Sequence, residues 1–252
     1  MTSVHLGPLA GLAGGLAGTA VVAAVVPLSP VGWTAGAVVL LVSTWLVAAG
    51  LRRRGMSRFG PANAITCARA SLTGITTALA VTSLTQPVAP AIVVAIVGPA
   101  LVLDGIDGGV ARRTGTVSEL GARYDMEVDA FLLLVLGVYV ARPVGGWVLA
   151  IGLMRYGFVA AAWVLPWMRG TLPARYWRKV VAATQGVVLV VAIADVLPGS
   201  VAATMLAGSL GLLAESFGRD VLWLWRHRTA VPVATGQPLV EPIRPEGVRI
   251  RA

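Results

Sequence analysis

Leu103-Asp104-Gly105-Ile106-Asp107-Gly108-Gly109-Val110-Ala111-Arg112 closes a long apolar run with two carboxylates and a cluster of glycines. Gly121, Asp125 and Asp129 open the next apolar run, so four aspartates fall within residues 104–129. A carboxylate at the centre of a membrane helix costs roughly 2.5–3.5 kcal/mol on an insertion scale, and four together repel one another. Such a group persists in apolar sequence only if something neutralises it. A divalent cation on oxygen ligands does so most directly.

The rest of the chain extends this apolar setting. Of 252 residues, 57% are hydrophobic and 12% charged, with a mean hydropathy of +0.82. A soluble domain carries about 25% charged residues, so the composition points to an integral membrane protein. The single cysteine, Cys67, excludes an intramolecular disulfide and a thiolate metal site. A net charge of +9 would also suit nucleic acid. The basic residues gather at the ends of apolar runs, however, and membrane topology accounts for that placement without a nucleic-acid partner.

Apolar runs long enough to span a bilayer occur near 8–28, 33–50, 63–86, 88–110, 119–141, 146–167, 179–197 and 200–225. The expected fold is therefore an all-α polytopic helical bundle. Arg52, Arg53, Arg54 and Arg58 follow the second run, and Arg112 and Arg113 end the fourth. Arg169, Arg175, Arg178 and Lys179 lie between the sixth and seventh, and Arg226 and Arg228 close the eighth. The alternate connections hold only Arg142. Eight spans put every other basic connection on one side, which the positive-inside rule makes cytoplasmic, with both termini. A plasma-membrane location is expected, and the first run lacks the basic lead of a cleaved signal peptide.

The expected organisation is two N-terminal transmembrane helices over 1–50, a basic interfacial segment over 51–62, a six-helix core over 63–228 and a mobile cytoplasmic tail over 229–252. Gly7, Gly11 and Gly15 recur every fourth residue, a spacing that permits close helix contact within the chain. The tryptophans fall mostly near span ends, as an interfacial belt does.

Asp104, Asp107 and Ala111 recur at helical spacing and share one face, as do Asp125 and Asp129 on the next helix. Thr116 and Glu119 have the capping-box spacing, so the second helix should start there. Asp107 and Asp125 stand at similar distances from the turn, which gives both a depth of about 9 Å at 1.5 Å per residue. The two carboxylate pairs can then face each other near the cytoplasmic surface, with Gly108 and Gly121 leaving room for a ligand. The two histidines, His5 and His227, are remote in sequence. Oxygen-only ligation suits Mg2+, Mn2+ or Ca2+, and four carboxylates suit a two-ion site of the kind used in phosphoryl transfer. A proton relay, or pairing with Arg112, Arg113 and Arg123, are the alternatives the residues leave open.

The full pattern, Asp104-x2-Asp107-Gly108-x2-Ala111-Arg112-x8-Gly121-x3-Asp125-x3-Asp129, resembles the signature of the CDP-alcohol phosphotransferase (CDP-alcohol phosphatidyltransferase) family at every fixed position. Asn63-x2-Thr66-x2-Arg69 resembles the segment that opens the family's first core helix. The resemblance covers about residues 57–228 and leaves the first two spans without a role. It implies that Asp104, Asp107, Asp125 and Asp129 hold Mg2+ or Mn2+, in two ions, and that Asp129 also takes the proton from the acceptor hydroxyl. It implies that Thr66, Asp104, Gly108, Ala111, Arg112 and Gly121 line the cytidine nucleotide pocket. The implied reaction moves a phosphatidyl group from CDP-diacylglycerol to a small alcohol with release of CMP, in phospholipid biosynthesis, and a homodimer is implied as well.

Arg155 sits mid-span, where an arginine should face the bundle interior or a polar cavity. It is an expected anchor for an acceptor phosphate, with a salt bridge to Glu127 or Glu215 as the structural alternative. Arg175, Arg178 and Lys179 lead into the seventh span and join Arg155 as expected acceptor-binding cations. Lys179 and Gln185 only partly resemble a family segment, since Arg178, Val181 and Ala182 depart from it. Glu215 and Arg219, four apart, read as a structural ion pair. The acceptor is expected to be a phosphorylated polyol, with serine, inositol or a lipid hydroxyl paired with a soluble CDP-alcohol as alternatives. An intramembrane prenyltransferase and a cation transporter are the readings from other classes.

Overall fold

The structure is a computed structural model describing residues 3–53, 61–114, 119–173 and 175–228. Over 3–6, 53, 61–63, 104–114 and 119–123 it describes the helical backbone alone. Eight α-helices make up the described residues: α1 (Ser3–Ala23), α2 (Pro30–Arg53), α3 (Pro61–Ser83), α4 (Pro90–Thr114), α5 (Glu119–Val144), α6 (Leu149–Val164), α7 (Tyr176–Ile193) and α8 (Gly199–Arg226). Short 3-10 turns at Gly146–Val148 and Pro166–Arg169 flank α6. Each helix coincides with one apolar run, so the all-α polytopic expectation holds. Among the described residues, five helices are long and apolar enough to cross a membrane: α2, α3, α6 with the turn before it, α7 and α8.

Local chemistry sets the boundaries. Pro30, Pro61 and Pro90 begin α2, α3 and α4, where a missing N–H costs nothing and the fixed φ suits the first turn. Ser29 caps α2 by accepting the Gly32 N–H at 3.0 Å, and its own N–H donates to Thr82 Oγ1 at 3.1 Å. Gly145, at φ 122, turns the chain between α5 and the next 3-10 turn in a conformation that L side chains rarely adopt. Helix α5 is described from Glu119; Thr116, the expected cap, lies outside the described residues. Of the expected basic segment over 51–62, α2 takes in residues through Arg53 and α3 is described from Pro61. Its residues 54–60, and the tail from 229, lie outside the described residues.

Helix α3 is the axis of the bundle. It packs against α1, α2, α4 and α5, while α5 continues to α6 and α7, and α7 pairs with α8. The core runs through Ile75 and Leu79 of α3, Val93 and Val97 of α4, Leu132 and Leu136 of α5, and Leu189 of α7. Burying α3 on several sides demands that its polar side chains be satisfied internally. Thr73, Thr76 and Thr77 do this by donating to the carbonyls of Arg69, Leu72 and Thr73, one turn back, at 2.8–2.9 Å.

Glycines bring α1 and α2 close to α3. A Cβ on Gly36 would stand 2.9 Å from the Gly74 carbonyl oxygen and 2.9 Å from Ala78 Cβ. One on Gly15 would stand 2.5 Å from Leu40 Cδ2, and one on Gly11 3.2 Å from Cys67 Cβ. The glycine stripe of the first run is thus an intramolecular packing face, as the sequence suggested. Trp147, Trp163, Trp177 and Trp225 are exposed at or next to helix ends, in keeping with an interfacial belt.

Candidate active site

Asp125 and Asp129, one turn apart on α5, present one face to α3. Arg69 meets them there. Its Nη1 donates to Asp125 Oδ1 and its Nη2 to Asp129 Oδ1, so one guanidinium fork spans both carboxylates. Arg69 is 1% exposed, whereas the two carboxylates are 33% and 38% exposed. The arginine therefore stands inside the bundle, and the acids line the boundary between it and open space. A buried guanidinium is tolerated only with close, well-aligned partners, and α5 supplies two. Thr66, one turn before Arg69 on α3, is buried beside it in sequence.

The N-terminal helices support this part of α3 from behind. Ser71 Oγ donates to the Gly11 carbonyl of α1 at 2.9 Å, and Cys67 packs on Gly11. Tyr124, next to Asp125, points its hydroxyl at the Ser43 carbonyl of α2, 3.5 Å away. The two spans with no expected role thus pack around the helix that carries Arg69.

A hard divalent cation fits what is described. Asp125 and Asp129 converge on a single positive group, both retain access to solvent, and all their donor atoms are oxygen. Among the described residues no group of three or more His, Cys, Asp or Glu is gathered. The side chains of Asp104, Asp107, Gly108, Ala111, Arg112 and Gly121 lie outside the described residues, although the backbone places Asp104–Arg112 on α4 and Gly121 on α5.

The expected acceptor cations are less unified. Arg155 of α6 is paired with Glu127, the salt bridge named as its structural alternative. Glu127 lies two residues from each of Asp125 and Asp129, so at about 100° per residue it projects from nearly the opposite side of α5. Arg155 is thereby held on the α6 side of α5, away from the face that meets Arg69. Arg178 of α7 donates to the Pro173 carbonyl and stands 3.5 Å from Asp220 of α8, which is buried. Arg175 and Lys179 are exposed and make no side-chain hydrogen bond or ion pair among the described residues. Gln185 is fully buried and donates to the Ser209 carbonyl at 2.9 Å, joining α7 to α8. Glu215 and Arg219 form the expected ion pair.

Residues 59–214, well over half the chain, match the family CDP-alcohol phosphatidyltransferase. The chain belongs to that family. It is accordingly a membrane transferase that moves a phosphatidyl group from a CDP-alcohol, in a family that generally uses divalent metal ions. The matched region begins just before α3 and ends within α8, which leaves α1 and α2 outside it. No curated protein and no solved structure matches the chain. Membership removes the prenyltransferase and transporter readings.

Two residues escaped the sequence reading. Arg69 was visible in the Asn63-x2-Thr66-x2-Arg69 segment but received no role. Like Arg155, Arg69 is an arginine inside an apolar span, and such a residue needs a partner. Asp220 was not singled out, yet it is the buried partner of Arg178.

Proposed function

We propose that the chain transfers the phosphatidyl group of CDP-diacylglycerol to the hydroxyl of a small alcohol, releasing CMP, at the cytoplasmic face of the plasma membrane. The observation that carries this reading is the convergence of Asp125 and Asp129 on one buried cation at the end of the bundle where α4 finishes and α5 starts. Asp104 and Asp107 lie near the end of α4, and with Asp125 and Asp129 they would hold two Mg2+ or Mn2+ ions. Bound there, the metal supplies charge neutralisation for the donor's diphosphate.

The chain's own residues do the rest. Thr66, Asp104, Gly108, Ala111, Arg112 and Gly121 hold the cytidine nucleotide between α3, α4 and α5. Asp129 accepts the proton of the acceptor hydroxyl; the acceptor oxygen bonds to the β-phosphorus, the bond from that phosphorus to the CMP oxygen breaks, and CMP departs. A carboxylate that also binds a cation is a weak base, so its effect comes from proximity to the hydroxyl. Arg69 keeps Asp125 and Asp129 in register.

On the acceptor side the reading assigns a phosphorylated alcohol to Arg155, Arg175, Arg178 and Lys179. A second reading is favoured by a specific observation. Arg155 and Arg178 each already face a carboxylate, Glu127 and Asp220, which offsets part of the positive charge an acceptor phosphate would draw on. An uncharged or zwitterionic alcohol, inositol or serine, depends less on that charge.

The test is CMP release by the purified full chain with CDP-diacylglycerol and Mg2+ or Mn2+, across glycerol 3-phosphate, inositol phosphate, inositol, serine and glycerol. Release stimulated by one acceptor and abolished by chelator supports the reading and selects between its two forms. Absence of release with every acceptor, in protein that binds metal and nucleotide, refutes the donor assignment.

A further inference from the structure

A cavity of about 240 Å3 opens at the end of the bundle remote from Asp125 and Asp129. It forms where α3, α5 and α7 finish and α4 starts, and its walls include Ser83, Val88, Tyr139, Arg142, Ile193 and Asp195. From Asp129 to Arg142 along α5 is about 20 Å at 1.5 Å per residue, so this cavity is not part of the active site.

Its charges are unusual for their place. Arg142 is the one basic residue in the connections expected on the non-cytoplasmic side, against the bias that orients every other basic cluster. Its Nη1 donates to the Ser83 carbonyl, which fixes the guanidinium at the cavity wall, and it has no carboxylate partner among the described residues. A guanidinium carries five N–H donors, so most remain for a ligand.

Asp195 stands just past the end of α7 at φ 52, in the left-handed region where glycine or asparagine is the usual choice. Its carboxylate makes no hydrogen bond or ion pair among the described residues. The two opposite charges thus line one cavity without pairing, and Val88, Val140 and Ile193 add apolar wall to it. Tyr139 is committed elsewhere, its hydroxyl donating to the Val88 carbonyl at 2.7 Å.

An arginine and an unpaired aspartate exposed on the wall of one open cavity recognise a molecule carrying the reverse pair. We propose that this cavity binds a phosphate–ammonium zwitterion, with its phosphate on Arg142 and its ammonium on Asp195. In a bilayer-spanning bundle the helix ends around it would come to the level of lipid headgroups, and the apolar wall suits the glycerol end of a lipid, so the source is the headgroup of a zwitterionic phospholipid.

The test uses the full chain in detergent, with retained lipid read by native mass spectrometry. One arm offers mixed micelles of phosphatidylethanolamine and phosphatidylglycerol; the other adds soluble phosphoethanolamine as competitor, which separates headgroup chemistry from lipid. Phosphatidylethanolamine should be retained about tenfold over phosphatidylglycerol, the scale of one charge-assisted hydrogen bond. Asp195→Asn and Asp195→Gly should erase that preference, and CMP release should be unchanged. The glycine variant adopts the same φ without strain, so it keeps the fold while removing the carboxylate. Arg142→Gln should lower retention of both lipids. Displacement by phosphoethanolamine supports the site with the headgroup as sufficient ligand. Equal retention of the two lipids by the parent chain, or a preference that survives both Asp195 variants, overturns the proposal.

Discussion

Replacing Asp125 and Asp129 together by asparagine removes both negative charges from the buried guanidinium of Arg69. Stripping a fully buried ion pair of one partner costs about 3–5 kcal/mol. The two carboxylates are 33% and 38% exposed, so water already screens part of their attraction. The expected loss for the double variant is therefore about 2–4 kcal/mol, discounted from the fully buried figure. Either single variant leaves one carboxylate on Arg69 and an amide oxygen that still accepts a hydrogen bond, so each should cost about 1 kcal/mol. The double loss should then exceed the sum of the singles, because only it removes both of these carboxylates from the guanidinium.

The assay is thermal unfolding in detergent with a chelator present, so that metal does not enter the comparison. At this chain length 1 kcal/mol corresponds to about 2–4 °C, which places the double variant roughly 4–16 °C below the parent. Adding Arg69→Met to the double variant should recover most of the loss, since an apolar side chain replaces a charge that no longer has these partners. Additive singles together with no recovery on Arg69→Met would refute the view that α3 and α5 are tied through this contact.

Three further outcomes follow from the same contacts. Asp129→Asn should abolish CMP release while nucleotide binding, followed by equilibrium dialysis, remains detectable; full turnover would remove Asp129 as the base. Arg155→Ala should raise the KM for a phosphorylated acceptor if Arg155 holds its phosphate. An unchanged KM with a lowered thermal midpoint would leave it as the structural partner of Glu127. Gly36→Val should lower the thermal midpoint by the equivalent of about 1–3 kcal/mol through overpacking, because even a Cβ there meets the Gly74 carbonyl at 2.9 Å; an unaltered midpoint would show that α2 can shift away from α3 freely.

Spans, boundaries and the carboxylate cluster are properties of the sequence alone. An apolar run of bilayer length must hydrogen-bond its own backbone and becomes a helix, so all eight helices were legible in hydropathy. Prolines and Ser29 mark helix starts through local steric and capping rules. The spacing of Asp125 and Asp129 put them on one face by helical period alone, and the pattern around Asp104–Asp129 was enough to indicate the family.

Tertiary structure decided which charges meet. Arg69 is 56 residues from Asp125 and 60 from Asp129, and nothing local to either segment says that α3 packs against that face of α5. Sequence logic demanded a partner for Arg155 and named two acids, and only the placement of α6 against α5 chose Glu127 over Glu215. The same holds for Arg178 with Asp220, and for the meeting of Arg142 and Asp195 around one cavity. Burial makes a partner for each charge obligatory, which a sequence can reveal; the identity of that partner depends on how helices remote in sequence come to lie side by side, which only the packed bundle determines.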